Sequence, residues 1–179
     1  MKLSQFLFLL LPGIMIFSCN SQPGGKGDIT NSYFLITEAI KTSKQSRNQF
    51  QDKFATALDS FYIKDDPSID LAELNMLLET AKNENIKAEA FIDGADEIDS
   101  VLRYKAKTYN MFKLMDTQYN TVYPEIIKVM ESAATNKKDT IMKLAAPAWN
   151  ELKTQAKDVI NTADAVAKKY NIKLMKIRP

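Results

Sequence analysis

The chain has 179 residues, with 24 Lys and Arg against 22 Asp and Glu, no His and a single Cys, Cys19. So even a charge balance lacks the strongly basic field that nucleic-acid binding needs. Without His there is no usual general base, zinc ligand or axial haem ligand, which excludes Ser-His-Asp and Cys-His machinery; one Cys excludes a disulfide within the molecule.

Lys2 and the apolar run Phe6–Phe17, broken only by Pro12-Gly13, open the chain. Twelve residues are too few for a hydrocarbon layer that takes about 20 helical residues, so residues 1–18 read as a signal peptide that directs export and is removed. The next feature, Ile16-Phe17-Ser18-Cys19, resembles the lipobox of bacterial lipoproteins: an aliphatic residue at −3, a small one at −1 and the Cys that takes the lipid. Phe17 at −2 is larger than that family's usual residue. The resemblance implies that the Cys19 thiolate takes a diacylglyceryl group and that multiple acylation, palmitate-like chains included, holds the protein to a membrane. Asn20 in place of Asp implies the outer membrane, by resemblance to lipoprotein sorting in enteric bacteria. Residues 19–29 then read as the lipidated Cys and a flexible Gly/Ser/Pro/Asn tether.

From 30 onward the pattern is helical, and Gly and Pro are too sparse to punctuate a sheet. Thr30-Asn31-Ser32 offers N-caps for a helix over about 30–63, with Tyr33, Ile36, Ile40, Phe50, Phe54, Leu58 and Phe61 at three- and four-residue spacing. Within it, 41–49 lacks any apolar residue; Ser43 and Arg47 fall on the apolar stripe, either as a polar layer lining a ligand pocket or as an exposed overhang. The turn at 64–68, with Ser68 as a cap, leads to a second helix running to about 92, and Gly94 marks a break. A third helix is predicted from Asp96, whose carboxylate suits the positive helix end, carrying Ile98, Val101, Leu102, Tyr109, Phe112, Met115 and Tyr119. Pro124 restarts or kinks it, and helix continues from Glu125 to about Ala134. A loop over 135–139 precedes a last helix, about 140–170, with a kink expected at Pro147. The expected fold of 30–179 is all-α, an antiparallel bundle of about four long helices.

Candidate chemistry is sparse. Residues 65–99 carry 11 acidic and 2 basic side chains, net −9, while 100–179 carry 15 basic and 7 acidic, net +8, which suits either packing between helix faces or a charged binding surface. The acidic run Asp93–Asp99 suggests Ca²⁺ by residue type but lacks EF-hand spacing, so it reads first as capping of a helix start. Met111 and Met115 at i,i+4 suggest core filling before copper ligation. Tyr104, Tyr109, Tyr119 and Tyr123 cluster as a binding surface or as bundle core. The sequence assigns no catalytic residue, cofactor or metal. The mature part resembles, in architecture alone, small helical surface or periplasmic lipoproteins of uncharacterised function in Gram-negative bacteria; the anchor, the tether and the missing catalytic equipment point to a membrane-anchored, non-enzymatic module that binds an envelope protein or component. The alternatives are a small-ligand or metal carrier with its site between helices and, third, a hydrolase working with carboxylates alone.

Overall fold

A computed structural model describes residues 26–61, 70–132 and 136–173 of the chain. The signal segment, Cys19, the turn at 64–68 and Ser68 lie outside the described residues. Helices account for nearly all of what is described, and no strand occurs among those residues. In chain order they are α1 (Lys26–Asp59), α2 (Leu71–Asp93), α3 (Tyr104–Thr117), a π-helical turn (Gln118–Val122), α4 (Tyr123–Glu131) and α5 (Lys137–Tyr170). The expected all-α bundle is what forms: Ser32 meets Asp96, Lys53 pairs with Glu73, Glu89 with Lys113 and Lys107 with Asp158, so successive arms run antiparallel.

Burial explains why α1 and α2 pair. On α1 the residues at 36, 39, 43, 46, 50, 54 and 57 are buried, and on α2 those at 74, 78, 81, 85, 88 and 92. Both follow the alternating three- and four-residue spacing that keeps one face against a neighbour. Small side chains, Ala39, Ser43 and Ser46 facing Ala81 and Ala88, let the two backbones approach closely along their length. The polar stretch 41–49 therefore does not overhang its partners: Ser43 is 1% exposed. Its hydroxyl and that of Ser46 donate to the carbonyls of Ile40 and Ser43, three residues back, so neither is buried unsatisfied.

Three expected boundaries are corrected. First, α1 already begins at Lys26, so Thr30, Asn31 and Ser32 are inside it, and the Ser32 hydroxyl accepts the Asp96 backbone N–H at 3.0 Å instead of capping α1. Second, the third helix starts at Tyr104 and not at Asp96, which leaves Ile98, Val101 and Leu102 in a turn although their spacing is helical. The cause is Asp99: its Oδ1 accepts the N–H groups of Val101 (2.8 Å) and Leu102 (3.0 Å), and Arg103 then takes a left-handed conformation (φ 56°). Glu97, not Asp96, caps the helix, its two carboxylate oxygens accepting the N–H groups of Lys105 and Ala106. Third, α5 starts at Lys137, which draws Lys137, Lys138 and Asp139 out of the expected loop. Around Pro124 the chain stays helical from Tyr104 to Glu131. Proline clashes with the carbonyl four residues back, and the preceding π turn, in which Tyr123 donates to Gln118, accommodates it. Through Pro147 α5 runs without interruption.

Candidate functional site

The arms close around an aromatic centre on three sides. Phe50 sits edge-on to Tyr123 (ring centroids 4.8 Å apart) and to Tyr119 (6.0 Å), and Phe54 edge-on to Tyr123 (5.0 Å). The fourth side stays open: α1 and α5 keep their backbones apart along most of their length, and the space between them is a cleft of about 1010 Å³. That is at the upper end of what ligand pockets occupy.

The sequence produces the opening by interrupting the buried apolar stripes of both facing helices at one level. The buried stripe of α5 runs Ile141, Ala145, Ala148 and resumes at Val159, but Leu152, Gln155 and Ala156 between them are only half-buried. Opposite lies the polar middle of α1, whose small serines face α2 and whose Lys44, Arg47, Asn48 and Gln51 face the cleft. Aromatic side chains form its ends: Tyr33 and Tyr104 at one, with ring centroids 5.6 Å apart, and Phe54, Tyr123 and Trp149 at the other, where Phe54 meets Trp149 edge-on at 6.2 Å. Met111, Leu152 and Val159 supply the apolar wall. Trp149 and Ile160 stand at the rim, 37% and 61% exposed.

Most of the polar side chains in this wall come from α1. Burial pulls the Arg47 guanidinium below its ordinary value, with the neighbouring Tyr119 partly opposing the shift, and its hydrogen bond runs from Nη1 to the Met115 sulfur at 3.8 Å. Burial pushes the Tyr104 hydroxyl up to about 12, partly offset by Thr37, and the Tyr33 hydroxyl up as well. The Tyr123 hydroxyl is raised by burial too; Trp149 and Gln51 lie near enough to lower it slightly, yet it makes no hydrogen bond of good geometry. Lys41 pairs with Glu38, while Lys44 and Lys153 sit exposed at the mouth and Asp164 is the one carboxylate among the lining residues.

Of the residues expected to form a binding surface, Arg47, Tyr104 and Tyr123 line the cleft together. Ser43 and Tyr119 are buried behind it, and Tyr109 is half-buried on another face, under Lys113. Met111 and Met115 are both core residues, and Met111 reaches the cleft. The carboxylates of 93–99 are dispersed: Asp93 and Asp96 point to water, Glu97 caps α3, and Asp99 accepts from Lys169 and Tyr170. Among the described residues no group of three carboxylates converges on one point. Sequence reasoning missed Trp149, Leu152 and Lys153 as lining residues; the signal available was the small Ala156 and polar Gln155 on the apolar stripe of α5 at the level where α1 is polar. No family model, curated protein or solved structure matches the chain.

Proposed function

We propose that the protein is an exported lipoprotein, held to the outer membrane through lipid on Cys19, and that its helical bundle is a non-catalytic module that binds a small, largely apolar ligand in the α1–α5 cleft. The observation that carries the binding site is the cleft itself, a space of about 1010 Å³ between α1 and α5 with apolar and aromatic walls. With one carboxylate in its lining, it lacks the pair of acids a carboxylate-only hydrolase needs. The anchor rests on the lipobox-like segment ending at Cys19.

Two measurements test this reading. Wild type expressed in a Gram-negative host is expected to carry acyl mass and to fractionate with membranes, and Cys19→Ala to do neither; an unlipidated wild type refutes the anchor. Full chain carrying Cys19→Ala is expected to bind one equivalent of a neutral fluorescent apolar probe, N-phenyl-1-naphthylamine, and to lose it when Ala156→Trp fills the cleft. Probe binding that is absent in the parent, or undiminished by the substitution, refutes the site. A protein partner seated over the cleft is the second reading, favoured by the exposed Trp149 and Ile160 at its rim.

A further inference from the structure

Arg47 is the odd residue of the cleft. It stands mid-way along α1 on the lining face, largely withdrawn from water, and none of the ion pairs among the described residues includes it. A contact to a thioether sulfur does not compensate a guanidinium, and an uncompensated charge removed from water is costly. Two further donors lie on the same wall, between Arg47 and the end formed by Tyr123 and Trp149. The Tyr123 hydroxyl is buried without a hydrogen bond, and Gln51 follows Arg47 by one helical turn, so its amide is on the same face. Lys44 and Lys153 add positive potential at the mouth, whereas Asp164 lies eleven residues beyond Lys153 on α5, about 16 Å away along the helix axis. A charge-bearing, donor-rich point thus sits inside an apolar channel that follows α5 from Trp149 to Asp164, about 22 Å.

Building on the cleft as the binding site, we infer that its ligand is a long-chain carboxylic acid, held by its carboxylate on Arg47 with Tyr123 beside it and with its chain laid along Met111, Leu152 and Val159. The fork of a guanidinium matches the two oxygens of a carboxylate, and a buried pair of this kind is strong when nothing else competes for it. One buried cation balances one negative charge; an alkyl phosphate dianion would leave an excess charge in the same space.

The test is displacement of the neutral probe from full chain carrying Cys19→Ala by three amphiphiles of equal chain length: the carboxylic acid, the alcohol and the alkyl phosphate. The acid is expected to displace the probe at a concentration about tenfold or more below that of the alcohol or the phosphate. Arg47→Met is expected to erase that preference, displacement being scaled to each variant's own probe affinity, and Arg47→Lys to keep part of it. If the probe binds normally but acid and alcohol compete equally, if the phosphate competes best, or if Arg47→Met keeps the preference, the inference is overturned and the cleft reading stands. A parent protein that binds no probe overturns both.

Discussion

The α1–α2 side of the bundle and its α1–α5 side are built from the same helix by opposite means. Toward α2, α1 presents Ala39, Ser43 and Ser46, and the two backbones close on one another until those residues are buried. Toward α5, one helical face away, it presents Tyr33, Lys44, Arg47 and Gln51, and the backbones stay apart around a cleft. Small residues let helices touch, whereas long polar side chains cannot be covered without desolvating them. The opening is therefore written into the helix faces and needs no loop or hinge.

The sharpest way to break this comparison is at the aromatic centre the closed sides share. Phe50 is fully buried against Phe54, Tyr119 and Tyr123. Phe50→Ala is expected to cost about 3–5 kcal/mol in denaturant unfolding, and Trp149→Ala at the cleft rim clearly less. Equal losses at the two positions would mean that the cleft side is packed as tightly as the rest.

A matched pair of enlargements separates the sides more finely. Ala39 on the α2 side has no exposure, and Ala39→Leu is expected to destabilise by about 1–3 kcal/mol through overpacking. Ala156 on the cleft side has room, and Ala156→Leu is expected to change stability by no more than about 0.5 kcal/mol. The same two unfolding curves decide it; a comparable cost at Ala156 would close the cleft.

Arg47 supplies a prediction of opposite sign. Removing a desolvated cation that lacks a counter-charge stabilises the empty protein, so Arg47→Met is expected to raise its unfolding free energy by about 1 kcal/mol. Destabilisation instead would show that Arg47 has a structural partner in the folded chain and is not waiting for an anion.

Much of this architecture was legible beforehand and some was not, for separable reasons. Helix type and number followed from apolar spacing, because a buried face repeats regardless of detail. The start of α3 did not, since Ile98, Val101 and Leu102 keep helical spacing while the Asp99 carboxylate captures the backbone N–H groups a helix would need; a side chain competing with the main chain leaves no periodic mark. Arg47 was legible as a polar residue on an apolar stripe, and Tyr104 and Tyr123 as aromatics near it. The burial of Ser43 and Tyr119 was not, because it depends on which helix lies opposite.

The same carboxylate at the end of the bundle gives the smallest expected effect. Asp99 is held well below the usual carboxylate range by Lys169 first, then by the Leu102 and Val101 N–H groups, with Tyr170 helping. A carboxyl whose folded pKa is depressed contributes stability above its unfolded value, about 3.9, and that contribution is lost as pH falls from there toward the folded value. Lys169, raised by Asp99, gives the mirror image: its contribution is present below about 10.4 and lost as pH climbs past it. Thermal melts of wild type are thus expected to be flat through neutrality and to fall below about pH 4, and Asp99→Asn to be less stable at pH 7 with a shallower acid slope. Because Lys169 is 55% exposed, solvent screens the pair and keeps the difference small. An acid slope identical in the two proteins would assign the acid sensitivity to other carboxylates and leave Asp99 with its turn-forming bonds alone.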